Sequence, residues 1–136
     1  MNELKKIIEK LSGMMGQMEE NAKEQYNFSE LTLTQMHYME VINNLGNPNL
    51  TELASALRLS KPTVTVAVEK LIEKDYLFKV KSDADRRSQH IHLTEKGHLI
   101  NGMHDYAHGK IAEYMRRNLS DDELKQLISL LGKVVQ

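Results

Sequence analysis

Residues 50–97 contain two short segments with helical periodicity, followed by two segments in which apolar and polar residues alternate and by the start of a long helical segment. Asn49, with Glu52 three residues later, predicts a capping box at the start of the first helix. Ser60 is placed to cap the second helix, whose first turn contains Pro62, a position at which proline is tolerated. A link this short between two helices favours a helix-turn-helix.

The two segments that follow the second helix alternate between apolar and polar residues, which predicts the strands of a hairpin. Phe78 and Val80 alternate with two lysines, and Ile91 and Leu93 alternate with two histidines. We therefore expect the four apolar residues to be half-buried, and the histidines to lie beside the lysines on the solvent side. The connection at 82–88 contains two arginines and is expected to form the tip of a wing. The whole order predicts a winged helix-turn-helix, a fold that places one helix in the DNA major groove.

The formal net charge of −1 is unevenly distributed along the chain. Residues 58–87 contain eight basic and five acidic residues, a local charge of +3, whereas residues 1–30 contain four basic and six acidic residues. Positive charge therefore gathers on the predicted winged segment, where DNA phosphates would lie. The alternative is an ordinary solvated surface, and the order of the helices favours DNA binding over it.

Long helical patterns flank this motif on both sides. One is expected over about residues 2–25. Thr32 with Gln35 predicts a capping box for a further helix that runs through Asn44, and Ser120 with Glu123 predicts one for the last helix. The fold class is therefore mainly α with a small β-hairpin wing. Terminal helices this apolar, on a chain of 136 residues, favour a homodimer. The alternative is that they cover the motif within a monomer.

Composition excludes several classes of function. The absence of cysteine removes disulfides and thiol-based redox sensing. We expect a cytoplasmic protein without membrane association, because the chain has neither a long apolar run nor the apolar core of a signal peptide. We expect no enzyme and no catalytic residue, because the sequence contains no HExxH motif and no glycine-rich phosphate loop.

Four separately placed segments resemble the MarR family of bacterial transcriptional regulators. They are LTLTQ at 31–35, LTELASALRLSKPTVT at 50–65, the Asp-x-Asp-Arg-Arg pattern at 83–87 and LTEKG at 93–97. The resemblance implies a sequence-specific transcriptional regulator, which we expect to act as a repressor. It also implies a homodimer whose recognition helices lie about one DNA turn apart (~34 Å) on a pseudo-palindromic operator in double-stranded DNA.

The same resemblance implies a single domain over 1–136. Its winged helix-turn-helix lobe would occupy about 33–97, and its dimerisation helices about 1–31 and 98–136.

Candidate DNA contacts lie early on the second helix of the motif. Ser60, Lys61, Thr63 and Thr65 carry short hydroxyls and an amine that can reach phosphates or base edges. Members of the family often have a basic residue where this chain has Val66, so readout at this position is reduced to contact with a thymine methyl.

Further candidates lie in the predicted wing tip. By its likeness to the family, Arg87 would enter the minor groove, Asp85 would hold its guanidinium in position and Arg86 would contact phosphate. The alternative for Asp85 and Arg87 is a surface salt bridge worth about 0–1 kcal/mol.

Zinc is one candidate effector. His104 and His108 lie four residues apart on the long helix, a spacing that suits a shared Zn²⁺. The resemblance to a zinc-responsive branch of the family adds Glu19 and His37, giving one site per subunit, and zinc would act as a corepressor. The alternative is that the two histidines are interfacial residues without metal.

Two other hypotheses remain open. A small lipophilic or phenolic ligand could release the protein from DNA, bound in a cleft lined by methionines, which at helical spacing are more often core residues. A protein-binding antirepressor that has kept the fold without the DNA readout is the alternative of another class.

Overall fold

A computed structural model describes residues 1–82 and 88–136 of the chain. In these ranges the order is four helices, a hairpin and two more helices: α1 (Asn2–Gln25), α2 (Leu33–Leu45), α3 (Leu50–Leu57), α4 (Lys61–Glu73), β1 (Leu77–Lys81), β2 (Gln89–Leu93), α5 (Glu95–Arg117) and α6 (Asp121–Val134). This is the predicted mainly helical fold with a small β-hairpin.

The backbone divides into two compact units. The helical unit consists of Met1–Ala22 with His104–Gln136, and the winged unit consists of Lys23–Met103. Both boundaries fall inside helices, α1 and α5, rather than at the predicted borders near residues 32 and 97. The single-domain organisation stays a prediction of the sequence.

Local side-chain chemistry starts most of the helices where the sequence predicts. Thr32 with Gln35, Asn49 with Glu52 and Ser120 with Glu123 each form both hydrogen bonds of a capping box. Ser60 caps α4 alone. Each cap satisfies backbone N–H groups that a helix start otherwise leaves unpaired. The turn between α3 and α4 is closed by Arg58 in the left-handed conformation, with Leu59 N donating to Ala54 O at 3.1 Å.

The core of the winged unit lies between α2, α3, α4 and the hairpin. Its fully buried side chains include Ile42, Leu53, Val64, Val68, Leu71, Leu77 and Ile91. The hairpin is also joined to the chain before α3, because Ile91 N donates to Pro48 O at 2.8 Å. His90 Nδ1 lies 2.9 Å from Asn47 O and donates to it.

The hairpin register corrects one prediction from the sequence. The antiparallel strands pair Leu77 with Leu93 and Phe78 with His92. Leu77 is therefore the buried residue of β1, whereas Phe78 and Val80 are 42% and 41% exposed. The predicted inward orientation of these two residues was wrong, and the predicted burial of Ile91 and Leu93 is confirmed.

The histidines of β2 consequently have different neighbours from those predicted. His90 pairs with Val80 rather than lying beside a lysine, and the ring of His92 lies 5.2 Å from that of Phe78. Alternation in a sequence shows that side chains point to opposite faces of a strand in turn, but it does not show which set faces the core; this choice is the phase of the strand. Here the phase follows from Leu77, which enters the core directly after the buried Tyr76.

Tyr76 joins three parts of the winged unit at the end of α4. Its hydroxyl donates to Glu30 Oε1 at 2.8 Å, its ring meets that of Phe28 edge to face at 5.7 Å, and Lys96 Nζ lies 4.3 Å from the ring centroid. Burial, followed by the hydrogen bond to Glu30, raises the pKa of Tyr76 above its ordinary value of 10.0.

Replacing Tyr76 with phenylalanine should lower the free energy of unfolding by about 1 kcal/mol at pH 8, because the hydrogen bond to Glu30 is lost. The raised pKa means that the folded protein holds the phenolic proton more tightly than the unfolded chain does. The contribution of the Tyr76 hydroxyl to the free energy of unfolding is therefore complete below pH 10 and is lost as the pH rises above that value. Urea unfolding at pH 8 and pH 11 should show a smaller alkaline loss for Tyr76→Phe than for the parent. The exposed Tyr114→Phe is the control, and an identical alkaline loss in parent and Tyr76→Phe would contradict this assignment.

The helical unit leaves much apolar surface uncovered. Residues of α6 are exposed or half-exposed throughout, with Ile128 at 63% and Leu131 at 41%. Near the start of α1, Leu4, Ile7 and Ile8 are more than half exposed. In the described part of the chain, no helix combines the length and apolar character that crossing a bilayer requires.

Candidate nucleic-acid interface

Helix α4 presents two opposite faces. Val64, Val68 and Leu71 are buried on one face. Val66 lies about 200° around the helix from Val64 and is 57% exposed. The N-terminal turns of α4 are therefore anchored by a core face and open on the other side, as a recognition helix requires.

The structure brings the four predicted contact residues of α4 together at its start. Ser60, Lys61 and Thr63 are exposed, and Thr65 is half-buried. Ser60 Oγ lies 2.9 Å from Thr63 Oγ1, and Thr65 Oγ1 donates to Lys61 O at 2.8 Å. Each of these hydroxyls already takes part in a hydrogen bond within the helix. Their contact with DNA stays a prediction.

The predicted wing residues Asp85, Arg86 and Arg87 lie outside the described residues. The nearest described backbone bond is from Ser82 N to Ser88 O, at 3.0 Å.

A cavity of about 440 Å³ opens between the start of α3, the start of α4 and the hairpin. Polar side chains dominate its lining, which includes Asn49, Thr51, Lys61, Thr65, Lys79, Ser88 and Gln89. Thr65 therefore faces the hairpin side of α4, while Val66 faces away from the core. Sequence reasoning on single elements missed this cavity, because its lining comes from three separate segments.

Lys79 links the hairpin to α4. Its Nζ lies 2.6 Å from Glu69 Oε1, and the lysine side chain is 23% exposed. The inward phase of β1 explains this contact, since Lys79 is on the same face as Leu77. An ion pair with a half-exposed carboxylate is worth about 0–1 kcal/mol. Its main effect is to fix the hairpin relative to α4. The sequence signal for this contact was the alternation of Lys79 with apolar neighbours, but the prediction placed Lys79 on the solvent face of the strand.

The four predicted zinc ligands are not brought together as one described group. Glu19, His104 and His108 belong to the helical unit, and His37 belongs to the winged unit, where its Nδ1 lies 3.8 Å from Glu40 Oε2. The rings of His104 and His108 are stacked, with centroids 6.2 Å apart and planes 26° apart. No group of three or more histidine, aspartate or glutamate residues in the described ranges could hold a metal ion. Because His37 lies in a different unit from the other three donors, the structure does not test whether the four meet, and zinc binding stays a prediction of the sequence.

The methionines considered for a ligand cleft differ in their surroundings. Met36, Met39 and Met103 are buried in the core of the winged unit. Met14, Met15 and Met18 are half-exposed on α1 in the helical unit. For the buried three, a packing role accounts for the pattern.

Comparison with known proteins identifies relatives of this chain. The MarR family model matches residues 31–89. The HTH-type transcriptional regulator MgrA of Staphylococcus aureus is 30% identical over 105 residues, which span 77% of this chain and 70% of MgrA. FabT of Streptococcus pneumoniae, whose structure was solved in complex with DNA, is 27% identical with a TM-score of 0.71, covering 98% of this chain and 95% of that one.

The YusO protein of Bacillus subtilis supports the fold alone. It is 18% identical with a TM-score of 0.80, and the match covers 100% of this chain and 94% of that one. The winged helix-turn-helix fold predicted from the sequence is confirmed.

Proposed function

Since this chain belongs to the MarR family, we propose that it is a sequence-specific DNA-binding transcriptional regulator that represses its target genes as a homodimer. Its relatives are transcriptional regulators rather than enzymes, as the sequence led us to expect. The observation that carries the proposal is the exposed start of α4, anchored by its buried face and standing beside the hairpin. Its place of action, the cytoplasm, stays a prediction of the sequence.

The charge around this surface suits a DNA backbone. Arg58, Lys61, Lys70 and Lys81 are all exposed, near α4 or on β1. A protein that neutralises phosphates with such residues releases counterions, so its affinity falls as salt rises. Lys61 is the basic residue in the first turn of α4, the end of a recognition helix that approaches the bases.

A second copy of the chain is the partner we propose for the helical unit. A groove of about 460 Å³ lies between α5 and α6, lined mainly by apolar residues that include Ala112, Met115, Leu124, Leu127, Ile128 and Leu131. Leu4, Ile7 and Ile8 of α1 form a second exposed apolar surface. A two-fold arrangement lets two such surfaces on each copy cover one another. It also presents two recognition helices to the two halves of a pseudo-palindromic operator.

Replacing Lys61 with alanine should weaken operator binding similarly for all sequences and reduce the steepness of its salt dependence. The slope of log affinity against log salt should fall by about 2, because a dimer loses two phosphate contacts. The operator would first be obtained by selection from genomic fragments, and affinity measured by fluorescence anisotropy between 50 and 250 mM salt.

The matched control is Lys10→Ala, which removes the same charge from an exposed position on α1. A slope unchanged by Lys61→Ala would remove this residue from the interface. If selection yields no footprint and the protein captures only protein partners, the antirepressor alternative replaces the regulator.

The identity of the effector that controls DNA affinity is independent of the proposal that the protein binds DNA. Zinc as corepressor and a small lipophilic or phenolic ligand as inducer both remain hypotheses of the sequence. Metal content of protein purified without a histidine tag, with operator affinity of the parent and of His104→Ala/His108→Ala with and without Zn²⁺, tests the zinc hypothesis. Affinity unaffected by zinc in both proteins would contradict zinc as a corepressor.

A further inference from the structure

The exposed face of α4 begins with an apolar stripe, formed by Pro62 and Val66. The two residues are four apart and therefore lie one above the other on the same side of the helix. Both are exposed, and Val66 points almost directly away from the buried Val64. An exposed β-branched apolar side chain in the middle of a recognition surface forms no hydrogen bond with water. Its position is accounted for if an apolar group covers it in the complex.

The polar groups next to the stripe have other partners or directions. Ser60 and Thr63 share a hydrogen bond of 2.9 Å, and the Ser60 hydroxyl also accepts from Thr63 N as the helix cap. Thr65 donates to the Lys61 carbonyl and faces the cavity beside the hairpin. The stripe itself carries no hydrogen-bonding side chain, so any contact that it makes with a base is apolar.

Charge along the same face indicates which part of it approaches DNA. Glu69, Lys70 and Glu73 lie further along α4 on the side that carries Val66, and all three are exposed. The Glu73 carboxylate would be repelled by phosphates, whereas Glu69 is paired with Lys79 at 2.6 Å. The start of the helix, with Lys61 and the stripe, is therefore the part that enters the groove.

We propose that Val66, supported by Pro62, is a specificity-determining residue that contacts the 5-methyl group of a thymine in each operator half-site. The thymine methyl is the only methyl group that the four base pairs present in the major groove, where recognition otherwise uses mainly hydrogen-bond donors and acceptors. This inference rests on the proposed function, since it assumes that α4 enters the groove of an operator.

The test replaces thymine with 2′-deoxyuridine, one position at a time in both half-sites of the selected operator. This removes the methyl group and leaves every hydrogen-bonding group of the base pair unchanged. At the contacted position the parent should lose about fourfold in affinity per half-site, the change expected when one methyl group is no longer buried. The other positions should change little.

Val66→Ala should weaken binding to the thymine operator to a similar extent and should no longer distinguish thymine from uracil at that position. Val66→Thr keeps one methyl in the same shape and should retain part of the discrimination. Val135→Ala is the matched control, because it removes the same atoms from a valine that is 78% exposed after the end of α6. Unchanged thermal unfolding of the Val66 variants would show that they fold.

A specific footprint that is indifferent to uracil at every position overturns the thymine contact and leaves the proposed function standing. So does uracil discrimination that persists unchanged in Val66→Ala. Absence of any specific footprint overturns the regulator and the thymine contact together. Loss of discrimination in Val66→Ala alone, with Val135→Ala behaving as the parent, supports the assignment.

Discussion

Gly97→Ala should lower the free energy of unfolding by about 3 kcal/mol, near the upper end of what overpacking a buried site costs. Gly97 is buried in the first turn of α5. A Cβ atom there would overlap the backbone carbonyl oxygen of Tyr76 and lie 3.2 Å from Leu93 Cδ2. A backbone oxygen cannot rotate away as a flexible side chain can, so the junction of α4, β2 and α5 must open.

Hydrogen bonds at this junction make such a movement costly. The Tyr76 carbonyl accepts from Thr94 N at 3.0 Å, and Thr94 Oγ1 donates to Asp75 O at 2.6 Å. Displacing Tyr76 loosens both. Urea unfolding at fixed protein concentration, together with thermal unfolding, should show a loss of about 10 °C in Tm.

The control for Gly97 adds the same methyl group where space is free. Gly13→Ala lies in the interior of α1, where a Cβ would meet nothing within 4 Å, and should stabilise the protein by about 0.5–1 kcal/mol. Equal stability of Gly97→Ala and the parent would mean that α5 does not approach Tyr76 this closely in solution.

Replacing Ile128 and Leu131 together with glutamate should convert the proposed dimer into a monomer and weaken operator binding by about 100-fold or more. Both residues line the groove between α5 and α6, and two carboxylates cannot be buried there against apolar surface without a large cost. A monomer holds one half-site at a time and loses the gain from simultaneous engagement of both. Sedimentation velocity gives the oligomeric state, and anisotropy with the full operator gives the affinity.

A double variant with the same added charge serves as the control. Gln126→Glu with Ser129→Glu places two carboxylates on exposed positions of α6 outside the groove, and should remain dimeric with operator affinity near that of the parent. A dimeric Ile128→Glu/Leu131→Glu protein that still binds tightly would show that a second copy does not occupy this groove.

The sequence predicted the helix starts well because capping depends on residues that are close together in the chain. The capping residues Thr32, Asn49, Ser60 and Ser120 each act within a few residues of the helix that they start. The hairpin was predicted with the wrong phase in β1, because the choice between Leu77 and Phe78 as the inward residue depends on what Tyr76 packs against. That information is not contained in a stretch of five residues.

The candidate site shows the same limit. A sequence indicates that Ser60 and Lys61 begin a recognition helix, but not that Thr65 turns towards a cavity shared with the hairpin. Likewise the spacing of His104 and His108 predicts that two rings lie close together, and it says nothing about whether a third and a fourth donor converge on them. Such sets depend on packing between distant segments.

The hydrogen bond from Ile91 to Pro48 gives β2 a second neighbour besides β1. The middle of the hairpin, where Ile91 pairs with Lys79, is thereby tied to the residues that precede α3 and, through Lys79, to α4. Residues 47–82 and 88–93 should therefore move as one rigid body, so that an effector changes operator affinity by changing the position of this body and not its internal arrangement.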